Sequence, residues 1–339
     1  MSIKEIKKIT GYSYSTISRV LSGKAREFRI SDATRQKILE AATRVNYRPN
    51  ILAQSLRLRK TKTVGLIVSD IQNPFFGELA SRIERLLRQD GYSTILCNTN
   101  EVPENEEFYL KILVDRQVDG IIISPIHTAE WPYMESLGPE TPVVLIDRIF
   151  YETRLPWVTS ENTKAAEELT RALIGLGHRK IAFLGGTPET YISGARFKGY
   201  EDAMRTSFGG SEASLVLAKG YAVRDGEEMM EKLLERCPDV EAVVCVNNLV
   251  FFGAAQVANQ FEVGHERNLM MAAFDIGEYA NLLKRPLLSA DQNMDELAGA
   301  AVRLLLSPGG DDGSRENHIT IPIPINRYRL SRNHNSRLI

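Results

Sequence analysis

Tyr14, Ser15, Ser18, Arg19 and Ser22 fall on one side of the stretch SYSTISRVLSG, residues 13–23, while Ile17, Val20 and Leu21 fall on the other. The i, i+3, i+4 spacing of the three apolar residues is that of a short amphipathic helix. Its outer side offers hydroxyls, a phenol and a guanidinium, a hydrogen-bonding surface of a size that fits the major groove of DNA. Tyr14 and Ser15, near the helix start, are placed to face base edges, and Arg19 to reach a guanine or a phosphate. Ser13, Thr16 and the helix N-terminus suit phosphates, as do Lys24, Arg26, Arg29 and Arg35.

A second chemistry is spread along the rest of the chain. Residues 70–76, Asn98, Ser124, Asp147, Arg148, Asn247 and Asp275 each follow a short apolar run. Carboxylates and amides accept from and donate to neighbouring hydroxyls, and an arginine binds a ring oxygen or a phosphate through two N–H groups. This is the chemistry of a polyol receptor. Nothing supplies a nucleophile with its base, and the sequence has no P-loop, G-x-S-x-G elbow or dinucleotide glycine fingerprint. The five histidines are scattered without metal-ligand spacing, so no metal and no cofactor are expected. Cys97, Cys237 and Cys245 cannot all pair, and two of them lie inside apolar runs, which reads as buried thiols.

The elements that must position these residues fall into two parts of opposite charge. Residues 1–62 hold 15 Lys and Arg against four Asp and Glu, a net of +11, whereas the remainder carries −12. A basic head on an acidic body is a charge partition that points to nucleic acid, although a merely solvated basic tail would share it. Against that alternative stands the patterning of the head. Ile3, Ile6 and Ile9 form one apolar stripe, and a third helix opening at Ser31 carries Ile38, Leu39, Ala42 and Val45 inward. Gly11 and Gly23 punctuate the helices, and Asn46 and Pro49 end the third. Two short helices joined by a glycine-containing turn and braced by a third make a helix-turn-helix.

Residues 47–63, YRPNILAQSLRLRKTKT, follow. Asn50 caps a short helix with Ala53 and Leu56 on one side. About nine residues are too few to hold a helix alone in water. The segment reads as a hinge that folds against DNA with Leu56 wedged into the minor groove, with a flexible linker as the alternative.

From Thr63 short apolar runs alternate with amphipathic helices. Strands are predicted at 64–68, 94–97, 118–124, 143–146, 180–184, 215–217, 242–246 and 269–274, with helices at 76–89, 104–116, 163–175, 194–206, 225–235 and 249–260. Such alternation gives parallel sheets covered by helices on both faces, and two series of it imply two lobes. Ligands of open parallel sheets bind beyond the carboxyl ends of the strands, so facing lobes would share one cleft. No tight internal repeat is visible. No run is long enough for a membrane span. The opening residues MSIKEIKKIT lack a secretory apolar stretch, so a cytoplasmic protein is expected.

Several segments carry a resemblance. IKEIKKITGYSYSTISRVLSG, NYRPNILAQSLR and TVGLIVSDIQNPFF resemble the lactose-repressor (LacI/GalR) family of bacterial transcription regulators. RQVDGIIIS, PVVLIDR, LGHRKIAFLGG, GARFKGY and AAFDI continue the likeness in order over nearly the whole chain. GKAREFRIS, residues 23–31, is longer than the usual family link and is similar to that of the fructose- and sucrose-responsive repressors. Lys7 and Tyr12 stand where the family usually has alanine and valine, and Asn248 where it commonly has aspartate.

The resemblance implies an N-terminal all-α helix-turn-helix domain over 1–49 and a hinge over 50–62. It implies a two-lobed, periplasmic-binding-protein-like α/β effector domain over 63–330. The lobe boundary is expected near 161, the chain crossing back near 290–325, and a disordered tail over 331–339. It implies effector contacts at Asp147, Arg196, Asn247, Asp275 and Gln292, walls from Phe75 and Phe76, and an aromatic platform from Tyr221, with Arg148 as the cation for a phosphate. The expected function is a homodimeric repressor of carbohydrate-metabolism genes, reading palindromic double-stranded operators under control of a sugar or sugar phosphate. Corepression and activation stay open. A transport protein with the same two lobes would carry a secretory signal and no basic head, the reverse of what the sequence shows.

Overall fold

The computed structural model describes residues 3–47, 60–129, 134, 137, 141–150, 152–209, 215–262, 269–283, 285–307 and 317–328. Asn50, Ala53 and Leu56 of the expected hinge, and the 331–339 tail, lie outside the described residues. The chain divides into two compact units, Met1–Thr61 and Lys62–Ile339.

The first unit contains α1 (Ile3–Thr10), α2 (Tyr14–Leu21) and α3 (Asp32–Arg44). The hydroxyls of Ser13 and Ser31 cap α2 and α3, accepting from the Thr16 and Thr34 amides at 3.1 and 3.3 Å, which satisfies N–H groups that no helical carbonyl can reach. Gly23 leaves α2 at φ +74°, a left-handed conformation that costs glycine little. Ile6, Ile17, Val20, Ala25, Ile38, Ala41 and Ala42 close a small core. Ile9 does not join its expected stripe and is 48% exposed. At 3.6 residues per turn an i, i+3, i+6 series rotates off the inner face. Thr10, four residues after Ile6, takes the half-buried place instead and donates its hydroxyl to the Ile6 carbonyl at 2.8 Å.

The second unit holds two sheets. In chain order it runs β1 (Thr63–Val68), α4 (Pro74–Gln89), β2 (Ser93–Asn98), α5 (Pro103–Asp115), β3 (Ile121–Ile123), β4 (Val143–Ile146), β5 (Trp157–Ser160) and α6 (Asn162–Gly175). It continues with β6 (Ile181–Gly185), α7 (Tyr191–Phe208), β7 (Leu215–Ala218), α8 (Val223–Arg236), β8 (Ala242–Cys245), α9 (Asn248–Glu262) and β9 (Met270–Phe274). After a 3-10 turn at Gly277–Leu282 come β10 (Leu287–Ala290), α10 (Met294–Leu306), β11 (His318–Ile321) and β12 (Ile325–Tyr328).

The first sheet has the order β11-β5-β4-β3-β1-β2 and the second β12-β10-β9-β8-β6-β7. All described pairings are parallel except β10 with β12. Leaving the edge strands β11 and β12 aside, both lobes repeat one strand order, 5-4-3-1-2, although no sequence repeat announces it. The central strands are buried on both faces, so they read as unbroken apolar runs rather than alternating ones. α10 returns to the first lobe, where Leu297, Ala301 and Leu305 pack with Leu79 and Ile83 of α4.

β5, β10, β11, β12 and α10 had no counterpart among the expected elements. The four strands are four residues long and include polar positions, and long-range pairing rather than local pattern makes them strands. The strand expected over 118–124 shrinks to Ile121–Ile123 because residues 117–120 complete the turn after α5, with Gln117 at φ +53°. Cys97 and Cys245 are buried and Cys237 is half-buried. Among the described residues no helix is long and apolar enough to cross a membrane.

Candidate functional site

In the first unit the outer face of α2 is open. Tyr14, Ser15, Arg19 and Ser22 are exposed and Ser18 and Thr16 half-buried, over buried Ile17 and Val20. Ser13 is engaged as the cap, and its hydroxyl lies 2.8 Å from that of Ser15 and 2.9 Å from that of Thr16. Ser22 turns back to the Ser18 carbonyl at 2.7 Å. Two aromatic rings carry cations, with Lys7 Nζ 4.5 Å above Tyr14 and Arg19 Cζ 3.9 Å from the centroid of Phe28. Lys24 makes a loose surface pair with Glu27 at 3.8 Å. Arg29 is exposed at φ +51°. A positive, hydroxyl-rich helix face with its backbone N–H end capped by serine is suited to phosphates and base edges.

In the second unit the strand order reverses at β1 and at β6, and the loops beyond the strand carboxyl ends converge between the lobes. Such reversals are where open α/β sheets hold ligands. Asn73, Phe75, Phe76, Asp147, Arg148, Ile192, Arg196, Tyr221, Asn247, Asn248, Asp275 and Gln292 line one cavity of about 30 Å³, room for about one water molecule. Nine of the ten expected effector residues are brought together there. Ser124 is not: it lies buried past β3, its amide bonded to the Ile67 carbonyl at 3.0 Å, and it does not line the cavity.

Asp147 and Asp275 each leave the end of a strand at positive φ, +65° and +59°. This conformation is unfavourable for non-glycine residues, and it clusters at functional sites. Burial raises the pKa of Asp275 to about 6, against the pull of Arg196 and the Gln292 hydrogen bonds. Burial also raises that of Asp147, against Arg148 and Arg196. Gln292 donates to both Asp275 oxygens, from its backbone amide at 3.0 Å and its side chain at 2.8 Å, and accepts from Ser160 at 2.6 Å.

Arg196 is buried and fixed from behind. Nε donates to Asn162 at 2.8 Å and Nη1 to the Val246 carbonyl at 2.6 Å, while Cζ stacks 3.7 Å from the Phe274 centroid. Nη2 is left 4.0 Å from Asp275. Burial lowers its pKa, only partly offset by Asp275 and Asp147.

Arg148 is also buried. Both of its terminal nitrogens donate to Glu101, at 2.7 and 2.6 Å, and its guanidinium lies 4.9 Å from the Tyr221 ring centroid. Burial alone would lower the Arg148 pKa; the Glu101 carboxylate more than offsets it. Tyr221 hydrogen-bonds Thr190 and lies against the backbone at Gly186, where an added Cβ would stand 2.1 Å from the ring. Asn247 commits its side chain to the Tyr221 carbonyl and the Val250 amide, at 3.1 and 2.8 Å. Asn248 reaches across to Asn73 at 2.9 Å. Phe75 and Phe76 pack edge to face at 5.0 Å.

No spacing in the sequence indicates Glu101, Thr190 or Ile192, and Asn248 is marked there only as a departure from the family's aspartate. Glu101 stands 47 residues from its arginine, and the two meet only through strand pairing. Its one local mark is a positive φ of +57° in the turn before α5.

A larger cavity of about 520 Å³ lies at the opposite, N-terminal ends of β6, β8 and β9. Its charged groups answer one another: Lys180 pairs with Asp239, and Glu241 accepts from the Arg179 and Lys180 amides. Size favours that cavity, but convergence of buried ionisable groups at a strand-order reversal favours the smaller one as the site.

Residues 61–327 match the family described as periplasmic binding proteins and sugar binding domain of the LacI family. Residues 2–50 match bacterial regulatory proteins of the lacI family. Catabolite control protein A of Priestia megaterium is 32% identical over 306 residues, covering 90% of this chain and 91% of that protein. The lac repressor dimer, solved on its operator with the anti-inducer ONPF, superposes with a TM-score of 0.82 at 20% identity over 96% of this chain and 98% of that one. The Cra transcriptional dual regulator of Pseudomonas putida, solved with fructose 1-phosphate, gives 0.71 at 21% identity over 78% and 98%. At such identities the two structures show the fold of this chain, and their ligands are properties of those proteins. The two-lobed α/β body, the helix-turn-helix head and these matches agree: this chain belongs to the LacI family of bacterial regulatory proteins, as a DNA-binding transcriptional regulator and not an enzyme.

Proposed function

We propose that this regulator is a cytoplasmic homodimeric repressor of carbohydrate-metabolism genes that binds palindromic operators and is controlled by a sugar or sugar phosphate held between the lobes. The observation that carries the reading is the convergence of two carboxylates, buried Asp147 and half-buried Asp275, and two buried arginines, Arg148 and Arg196, on one cavity of a chain that also bears the α2 face. The domain limits that go with this reading are a reader over 1–49, a hinge over 50–62 and a receptor over 63–330.

On the DNA side the contacts are assigned to Ser13, Tyr14, Ser15, Thr16, Ser18, Arg19, Lys24 and Arg29, with Asn50, Ala53 and Leu56 in the hinge. A two-fold dimer suits a two-fold site. On the effector side the carboxylates accept from hydroxyls, Arg196 points Nη2 inward, and Phe75, Phe76 and Tyr221 wall the ring. A cavity of about 30 Å³ is far below the roughly 300 Å³ or more of ordinary ligand pockets, so entry requires the lobes to part. A ligand that binds open and closed lobes unequally shifts their balance, and that shift is what DNA senses.

The fructose 1-phosphate in the Pseudomonas putida relative supports the ketose phosphate class. That relative is a dual regulator, which favours activation at some promoters as a second reading. A thermal-shift screen of the full chain against neutral sugars and sugar phosphates tests the receptor assignment. Stabilisation by one sugar class supports it, and a chain indifferent to all of them contradicts it.

A further inference from the structure

Phe28 is a large aromatic side chain left 41% exposed on the positive head, and none of the contacts assigned so far uses it. It belongs to the segment 23–31, which is closed by its own backbone. Lys24 N donates to Arg19 O at 2.9 Å, Phe28 N to Lys24 O at 3.2 Å, Arg29 N to Arg26 O at 3.1 Å and Ile30 N to Ala25 O at 2.9 Å. Ala25, 3% exposed, anchors the turn in the head core. The result is a backbone-bonded arm that sets the Phe28 ring 3.9 Å from the Arg19 guanidinium. Among the described residues no carboxylate lies within ion-pair distance of Arg19.

An aromatic ring binds a guanidinium through its flat face and leaves the N–H edge free. A free arginine must give up much rotamer freedom to make a two-point contact, so one already held in place loses less on binding. We propose that Phe28 is a positioning residue for Arg19, clamping its guanidinium so that the N–H edge is presented for a base before DNA arrives. This makes the longer 23–31 arm a determinant of sequence discrimination rather than of general affinity. The inference rests on the head being the DNA reader.

The test uses the full chain and two duplexes of equal length. One is the tightest duplex that the wild type selects from a random pool, and the other is its scrambled counterpart. At fixed salt, Phe28→Leu is expected to weaken the selected duplex roughly three- to tenfold and to leave the scrambled one unchanged. Phe28→Tyr, which keeps the ring, is expected to behave as wild type. In an Arg19→Ala background Phe28→Leu is expected to add nothing. The Arg19 Nε–H resonance reports the stack without DNA: its ring-current shift should vanish in Phe28→Leu while the other head amides stay in place. Equal loss on both duplexes, additive losses in the double variant, or an intact shift in Phe28→Leu overturns the proposal. So does loss of the shift with unchanged discrimination. A wild type that does not discriminate at all overturns the DNA-reader assignment and the proposal with it.

Discussion

Asp147 and Asp275 are counterparts in the two lobes. Each stands one residue past the fourth strand of its lobe, β4 or β9, in the left-handed conformation. Each donates its amide to the fifth strand, Asp147 to the Val158 carbonyl at 2.9 Å and Asp275 to the Ala290 carbonyl at 3.1 Å. Arg196 interacts with both carboxylates. The cleft is therefore built from two copies of one structural solution, with the Arg196 guanidinium 4.0 Å from the second of them.

Removing the fork geometry of that guanidinium should separate the two functions. Arg196→Lys keeps a positive charge but loses the planar donors that engage Asn162 and the Val246 carbonyl. The expected outcome is at least a tenfold loss of effector affinity, read by calorimetry, with unchanged binding to operator in the absence of effector. Arg196→Ala is expected to cost stability as well, about 1–3 kcal/mol, because Asn162 and the Val246 carbonyl lose their buried donors while Asp275 keeps its Gln292 hydrogen bonds.

Asp275 should make the protein respond to mild acid. Its folded pKa of about 6 lies above the ordinary value of 3.8, so the folded chain holds this proton more tightly than the unfolded one. The stabilisation is complete below the ordinary value and is lost as pH rises through about 6. A difference of that size between folded and unfolded chain corresponds to no more than about 3 kcal/mol. Denaturation of wild type between pH 4 and 7 should show that slope, and Asp275→Asn should flatten it. A slope of the same size in Asp275→Asn would contradict the assignment.

Glu101 should set the preference between charged and neutral ligands. Its carboxylate occupies both terminal nitrogens of Arg148, the donors a phosphate would use. Glu101→Gln removes the competing charge and is expected to raise the affinity for a ketose phosphate relative to its unphosphorylated sugar about tenfold. An unchanged ratio in a thermal-shift titration would show that Arg148 does not meet the phosphate.

Gly186 gives a test by steric means. A methyl group there would stand 2.1 Å from the Tyr221 ring, and Tyr221 is the partner of Arg148 across the cleft. Gly186→Ala should weaken the effector response while leaving the head's DNA binding intact, as measured by anisotropy with and without ligand.

Much of this site was legible in the sequence because its key residues sit where chain pattern can find them. Asp147, Arg148, Asn247 and Asp275 each follow a strong apolar strand, and strand ends are where such sheets bind. Arg196 and Gln292 came from family motifs, since neither directly follows an expected strand. Ser124 shows the limit of the positional rule: it follows β3 and is buried away from the cavity. Glu101 and Thr190 act through partners 47 and 31 residues away, and no local pattern carries such a pairing. The same holds for β5 and β10, short strands that complete each lobe's core by pairing with distant segments.

Ligand binding in the cleft is expected to change how tightly the head holds DNA. The most direct measurement is the affinity of the full chain for its selected duplex, by fluorescence anisotropy, with and without a saturating sugar or sugar phosphate already shown to raise its melting temperature. A change of about five- to 150-fold is expected, the range of ordinary allosteric coupling, and it should disappear in Arg196→Lys at the same ligand concentration. An affinity for DNA that stays constant while the ligand saturates the wild-type cleft would contradict the claim.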